Sequence, residues 1–395
     1  MTRGSDARAH LNRVYIVYRI SIKYVFNYTL QVTSWTLAEK YKNALGSIVS
    51  IYFFVSAIVL IKDSAKIMGE TLAEKMVLLI RDTTSAVFAG WISTALLHSS
   101  GAFDSIVVAF TSSGVMPLNL AVAAIMGAEM GTTVTPFLIS VIGRLRGEKE
   151  SEAGFNVTMS HVLYNLFTLA LFYPLELFFG LFTNVAVQGS HIFVKLPWLN
   201  AIPDILDVAT PWVGPLLERI PPWAGIALGA LLLIVALGAV EKYMTAMFSM
   251  PRSWNLIRST FMRPGRAFAA GFLFTLLVPS TTVMVSLLVP LATSGVIRAE
   301  YYILPYILGA NIGTVFDVMI AALATGDPVS LGVWLVHLSI NLIGALIFMP
   351  LLKPFSSLTR KVARFVSSSP RVTLAVTALF HIIPASIILY YYLSM

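Results

Sequence analysis

Two short runs stand out for the chemistry they could do. His98-Ser99-Ser100-Gly101 and Pro279-Ser280-Thr281-Thr282 interrupt long apolar stretches and recur at an offset of 181 residues. Hydroxyls at a helix break, beside freed backbone N–H groups and the positive end of a helix, suit an oxyanion. A single run of this kind is more often serine or threonine bonding back to its own helix or permitting close packing; the duplication favours a site. A second pair follows in each half, Gly127-Ala128-Glu129-Met130-Gly131-Thr132-Thr133 and Gly309-Ala310-Asn311-Ile312-Gly313-Thr314-Val315. Paired glycines allow an unwound stretch whose carbonyls, with the side-chain oxygens of Glu129 and Asn311, would hold Na⁺; close helix packing is the competing role. Thr132 and Thr314 add hydroxyls on the substrate side. His98, Thr133 and Asp317 join Glu129 and Asn311 as candidates for cation binding or coupling. Glu129, Asp104 and Asp317 are acids within apolar stretches, costly enough in lipid that a functional role is the default; for Asp104, near a hairpin tip, an exposed position is an equal rival. His161 with Asn165 and His337 with Asn341 are i, i+4 pairs on one helix face. With no second ligand nearby in sequence, they read as interhelical hydrogen bonding.

The elements that must position these groups are transmembrane. With 395 residues, 57% of them hydrophobic, 12% charged and a mean hydropathy of +0.81, the chain has too few charges to cover a soluble globule. About 20 apolar residues cross the hydrocarbon as a helix, and such stretches recur. The net charge of +8 lies in links between them, which reads as a topology signal and not as a nucleic-acid surface. The absence of cysteine excludes disulfides, thiolate metal sites and cysteine nucleophiles. No removable signal peptide is evident, so the mature chain is expected to begin near Met1.

Residues 1–44 read as an amphipathic cytoplasmic arm on an anionic leaflet, with a solvated cytoplasmic tail as an equal alternative. Full crossings are expected over Leu45–Ile61, Pro117–Ile142, Phe155–Phe182, Trp223–Phe248, Tyr301–Thr325, Leu331–Leu352 and Thr373–Leu393. The broken regions, Ser85–Met116 and Ala267–Ile297, have arms too short to cross and are expected to be re-entrant hairpins. Residues 45–182 and 223–352 repeat one another, joined by an extracytoplasmic link over 183–222; residues 353–395 hold a basic cytoplasmic link and a terminal span without counterpart. Gly90, Thr94, Ser99 and Gly114 recur as Gly271, Thr275, Ser280 and Gly295, and His161, Asn165 and Pro174 recur as His337, Asn341 and Pro350. With a cytoplasmic N-terminus, three crossings per half make the halves inverted, a plan common among secondary transporters that puts the site at the repeat interface near mid-depth. The expected fold is an all-α polytopic membrane protein of two inverted repeats, each with a re-entrant hairpin and broken helices, plus an extra C-terminal span.

The paired hydroxyl breaks, the paired G-A-x-x-G-T stretches and the H-x-x-x-N helices together resemble the sodium-dependent phosphate cotransporter family (type II) and its prokaryotic relatives, over roughly Leu45 to Leu352. In that family each repeat carries a Gln-Ser-Ser-Ser motif on a re-entrant hairpin. The resemblance implies that Ser99, Ser100, Ser280, Thr281 and Thr282 contact phosphate while neighbouring positions hold Na⁺. The chain departs from the pattern where the glutamine is His98 or Pro279, where a serine is Gly101, where the first asparagine is Glu129, and where Asp317 stands opposite Thr135. Na⁺ and H⁺ are both open as coupling ions.

The function expected is cation-coupled symport of inorganic phosphate or a related oxyanion at the plasma membrane. The alternatives are a same-fold transporter of another substrate and a membrane protein that keeps the fold without transport. No cofactor and no enzymatic activity are expected, since neither HExxH nor GxSxG occurs. The expected partners are the oxyanion and the lipid bilayer, with no nucleic acid and with a homodimer as one assembly open to the chain.

Overall fold

A computed structural model describes residues 37–147, 151–197, 208–247, 259–295, 297 and 302–393. The arm expected over residues 1–44 lies mostly outside them, as do residues 252–258 of the basic link Arg252–Arg266 and the middle of the 183–222 link. The described chain is helical throughout. In order, the elements are α1 (Leu37–Leu79), α2 (Thr83–Leu97), α3 (Ser100–Ser112), α4 (Leu118–Thr132), α5 (Val134–Leu145), α6 (Ser151–Phe179), α7 (Leu181–Phe193), α8 (Val213–Leu217), α9 (Pro222–Met247), α10 (Pro264–Leu277), α11 (Thr281–Thr293), α12 (Ile303–Thr325), α13 (Pro328–Phe348), α14 (Leu352–Ser367) and α15 (Pro370–Leu393).

Among the described residues seven stretches are long and apolar enough to cross a bilayer: Tyr41–Gly69, Leu118–Leu145, Glu152–Phe179, Pro222–Tyr243, Ile303–Thr325, Pro328–Phe348 and Pro370–Leu393. They coincide with the seven crossings expected from hydropathy, and the protein is a polytopic membrane protein.

Between the crossings lie two helical hairpins, α2–α3 and α10–α11. Their arms are 15, 13, 14 and 13 residues long, and at about 1.5 Å per residue none spans a core of about 30 Å. Local sequence fixes where each arm starts and stops. Asp82 accepts from Ser85 N while the Ser85 hydroxyl reaches back to the Asp82 backbone, a capping box that opens α2. His98 then adopts a left-handed conformation (φ 55°) and ends it. In α10, Pro264 occupies the first turn, and the helix stops at extended Val278 before Pro279, whose ring disfavours helix at the residue before it. Ser99 and Ser280 are both extended and cap the return arms, accepting from Ala102 N and Val283 N, each at 3.2 Å.

The glycines of the second motif do not unwind the backbone. Gly127 and Gly131 lie inside α4, and Gly309 and Gly313 inside the uninterrupted α12. The expected unwound stretch is thus corrected to helix, and the glycines serve a packing contact. A Cβ at Gly127 would lie 1.7 Å from Val87 O, and one at Gly309 would lie 2.1 Å from Phe268 O. Across the same contacts, Gly90 faces Ala124 O and Gly271 faces Tyr306 O, each with 2.0 Å for a Cβ. Glycine here lets each hairpin's first arm press its backbone onto the following helix, as small residues do in membranes. All partners correspond between the halves. The one interruption in this stretch falls at Thr133, between α4 and α5.

Two helices stand where links were expected. The 183–222 link is helical at its start because Gly180 turns left-handed (φ 57°) and the Glu176 carboxylate accepts from Phe182 N and Thr183 N (2.8 and 3.0 Å) and from the Thr183 hydroxyl, restarting the chain as α7. In the basic link, α14 buries Phe355, Ser356, Thr359, Ala363 and Val366 and leaves Lys353, Lys361 and Arg364 exposed. The hairpin return arms each pack on the other half, α3 on α12 and α11 on α6 and α5.

Candidate functional site

Both hairpin breaks abut the face shared by α9 and α12. A Cβ at Gly101 would lie 2.0 Å from Asp317 Oδ2 and 3.2 Å from Leu237. One turn further along α9, Glu241 faces the Ser280 hydroxyl and also acts electrostatically on Asp317. The chain of neighbours therefore runs from the first tip through Asp317 and Glu241 to the second. Gly101, where the family motif has a serine, and Asp317 are in contact: the carboxylate occupies the volume that a side chain at 101 would enter.

At the tips the hydroxyls differ. The Thr281 hydroxyl donates to Ala310 O at 3.1 Å. Ser100 and Thr282 are buried and make no side-chain hydrogen bond within the described protein, so their hydroxyls are free to meet a ligand. His98 is exposed, with Nδ1 2.8 Å from the Thr135 hydroxyl. Thr132 and Thr133 donate back to Ala128 O and Met130 O (3.0 and 2.7 Å), the local bonding common for such residues in helices. Thr314 is buried on α12, one turn after Asn311.

Deeper in the protein the halves cross over twice. Glu129 Oε1, from α4, lies 2.6 Å from His337 Nε2 and accepts from Asn341 Nδ2 at 2.9 Å, both on α13. Its counterpart Asn311, from α12, donates to Asn165 Oδ1 at 3.2 Å and faces His161, both on α6. Asn165 ties the crossings together: its Nδ2 donates to Glu129 O at 2.6 Å and lies 3.3 Å from His161 Nε2. The H-x-x-x-N helices, read from sequence as hydrogen bonding between helices, do make such bonds, and they also complete both motif positions. Glu129 borders a small cleft lined by Met126, Asn165, Thr168, Leu169, Phe172 and Asn341.

Around Glu129 every hydrogen-bond partner is a nitrogen. That set anchors the Glu129 carboxylate through Oε1.

His337 also faces Asp104, with Nδ1 and Oδ2 3.5 Å apart. Both carboxylate oxygens of Asp104, Asp317 Oδ2 and His337 Nδ1 are buried without a hydrogen-bond partner. Asp104 is 1% exposed, which removes the exposed-tip alternative. Sequence reasoning also passed over Glu241, a lone acid near the end of an apolar stretch, and over Thr94 and Thr275, whose duplicated hydroxyls are both buried and unpaired. Their recurrence at equivalent positions was the available signal.

A family model described as Na⁺/Pi-cotransporter matches residues 52–194 and 232–379. Among curated proteins, sodium-dependent phosphate transport protein 2B of Bos taurus is 22% identical over 423 aligned positions, covering 80% of this chain and 60% of that protein. Sodium-dependent phosphate transport protein 2A of Mus musculus is 23% identical, with 76% and 60% covered. The uncharacterized protein YqeW of Bacillus subtilis is 29% identical over 90 positions, 23% of this chain and 27% of that one. The chain spans about three-fifths of the length of the mammalian relatives. No solved structure matches.

Proposed function

Since this chain belongs to the Na⁺/Pi-cotransporter family, we propose that it is a secondary transporter of the plasma membrane that moves inorganic phosphate or a related oxyanion together with a cation, Na⁺ or H⁺. The observation that carries this reading is the pair of helix N-termini capped by Ser99 and Ser280, both against the face formed by the membrane-spanning helices α9 and α12. Freed N–H groups and the positive helix ends would meet the oxyanion there, with Ser100 and Thr282 as unengaged hydroxyls beside them. Within a bilayer, irregular backbone of this kind is tolerated where it is enclosed by protein or lines a cavity.

The carboxylates nearby argue for a cation in the cycle. Asp317 and Glu241 flank the tips, and a bare oxyanion next to two carboxylates is repelled unless positive charge enters with it. Asp317 and Glu129 take the coupling role in this reading. The matching order of elements and the reciprocal contacts support two halves of inverted topology about an axis in the membrane plane, with the N-terminus cytoplasmic. The relatives' names speak of sodium-dependent phosphate transport, which favours phosphate over other oxyanions.

Uptake of labelled phosphate into proteoliposomes of the full chain, under separate Na⁺ and H⁺ gradients, tests the proposal. Gradient-dependent accumulation is expected, and uptake that follows neither gradient, or none at all, would sink it. Ser99→Ala and Ser280→Ala are each expected to weaken phosphate binding by about 1–3 kcal/mol, as when a charge-assisted hydrogen bond and a cap are lost. Unchanged apparent affinity in both variants would leave these serines as caps alone.

A further inference from the structure

Asp104, His337 and Glu129 come from three helices, α3, α13 and α4, and line up in one buried row. His337 Nε2 stands 2.6 Å from Glu129 Oε1, and its Nδ1 stands 3.5 Å from Asp104 Oδ2. An imidazole with a carboxylate at each nitrogen can take a proton at one side as it gives one up at the other. The two ends differ. Glu129 borders the cleft between α4, α6 and α13, whereas Asp104 is enclosed and its carboxylate oxygens have no hydrogen-bond partner.

We propose that Glu129, His337 and Asp104 form a proton relay that carries a proton from the cleft beside Glu129 to the enclosed carboxylate of Asp104 in the return arm of the first hairpin. The proposal rests on the reading of Glu129 as a coupling residue and names the ion at that site as H⁺. In the forward step the Glu129 O–H bond breaks and an N–H bond forms at Nε2 of the neutral ring. Together with it the Nδ1–H bond breaks and an O–H bond forms at Asp104 Oδ2. The ring is neutral before and after with its tautomer exchanged, Glu129 is left a carboxylate, and Asp104 becomes a carboxylic acid. Reverse transfer restores the start. The 3.5 Å gap at Nδ1 must shorten for the transfer, as catalytic contacts commonly do when a site closes.

The surroundings offer no competing donor at Nδ1. From the elements packed around His337, the ionisable groups beside the row are Asp317 on α12, which also acts on the ring, His161 on α6, turned to Asn165, and Tyr164 on α6, whose hydroxyl points to Asn341 O. Lys62 on α1 is engaged with Thr325 O and Asp63, Glu241 on α9 faces Ser280, and His191 on α7 is exposed. At the equivalent position of the second hairpin stands Val285, buried and apolar, so among the described residues the row has no counterpart at the other crossing.

Infrared difference spectroscopy on the purified full chain in proteoliposomes, following the carboxylic C=O stretch after a pH jump, reads the relay without any substrate. Wild type is expected to show a pH-responsive band that disappears in Asp104→Asn. In His337→Gln, which keeps one N–H for Glu129, that band should respond slower by on the order of a hundredfold, the size of effect a positioned proton-transfer group makes. Glu129→Gln removes the entry carboxyl and should slow it likewise; if His337→Gln does not fold, this variant decides. No band assignable to Asp104 in wild type, or an Asp104 response as fast in the variants as in wild type, overturns the relay. Phosphate uptake measured on the same vesicles separates the two readings. A relay without uptake removes the transport assignment alone, and uptake with no relay removes the relay alone.

Discussion

The two crossings between the halves share a scaffold and differ in charge. At one, Asn311 meets His161 and Asn165; at the other, Glu129 meets His337 and Asn341, with Asp104 behind the histidine. The glycine contacts that bring each hairpin onto its neighbouring helix are duplicated position by position, so backbone geometry is common to both. The acids are not duplicated. Asp104 corresponds to Val285, Glu129 to Asn311, and Asp317 to Thr135. A repeat can thus keep its packing while one copy becomes an amide junction and the other an ionisable one. Buried carboxylates are hard to justify as structural parts, because hydrophobic residues of like volume serve stability as well or better. Asp104 and Glu129 both belong to the crossing at His337, whereas the crossing at His161 has an amide in the place of Glu129.

The strongest way to break this comparison is to remove the charge from Glu129. Glu129→Gln keeps the shape and an acceptor oxygen but cannot hold a negative charge, and it is expected to abolish or uncouple transport, a loss on the order of a hundredfold or more for a group acting in proton transfer. Glu129→Asn makes the first crossing resemble the second. If Na⁺ is the coupling ion it should retain more activity than Glu129→Gln, and if protons drive the protein both variants should lose pH dependence. Transport measured across pH, with and without Na⁺, separates these outcomes. Wild-type behaviour in both variants would falsify the coupling role.

The next effect concerns what the crossings share. Gly127→Ala and Gly309→Ala place a methyl group 1.7 and 2.1 Å from a backbone carbonyl oxygen, where no rotamer change can relieve it. Each is expected to cost stability at the upper end of about 1–3 kcal/mol, the usual range for overpacking. Melting of the purified variants in detergent should show similar losses in both halves. A loss at one position only would mean that the halves are not equivalent in packing.

Sequence reasoning reached the seven crossings, both hairpins and the duplicated motifs, because hydropathy, arm length and offset report directly on them. It misjudged the glycines, since a glycine kept for φ > 0 and one kept for close approach look the same in a string, and only the facing Val87 and Phe268 carbonyls decide between them. The role of His337 and Asn341 was hidden for another reason. Their partner Glu129 lies 208 residues from His337, in the other half, so spacing within one helix carries no trace of it. Helices α7 and α14 were read as links because polar and basic residues were weighed as composition. Their apolar faces appear only when positions are taken at helical period, as Phe355, Thr359, Ala363 and Val366 are in α14.

A smaller effect sharpens the comparison at the tips. Gly101→Ser restores the serine of the family motif but drives its side chain into Asp317 Oδ2, and it should cost about 1–3 kcal/mol of stability. Adding Asp317→Thr, the residue at the equivalent position of the first half, frees that volume. The double variant is therefore expected to recover most of the loss, with a coupling energy of about 0.5–3 kcal/mol in a double-mutant cycle of melting free energies. Additive losses would show that Gly101 and Asp317 are independent departures.

The smallest effect distinguishes two hydroxyls that the repeat makes equivalent. Thr281 follows Ser280 as Ser100 follows Ser99, yet only Thr281 spends its proton within the protein, donating to Ala310 O at 3.1 Å. Its oxygen can still accept but has no hydrogen left for an oxyanion, whereas the Ser100 hydroxyl is unengaged. Thr281→Val keeps the shape and deletes the bond, and because Ala310 O lies within the ladder of α12 it is not stranded. The loss should be about 0.5–1.5 kcal/mol of stability, the net worth of an ordinary hydrogen bond, with phosphate affinity unchanged. Ser100→Ala should do the reverse, leaving the melting temperature near wild type while lowering phosphate affinity by several-fold. Paired melting and binding measurements on the two variants decide it. If both lose affinity alike, Thr281 turns its hydroxyl toward the ligand when the site fills, and the tips are functionally symmetric despite their different bonding.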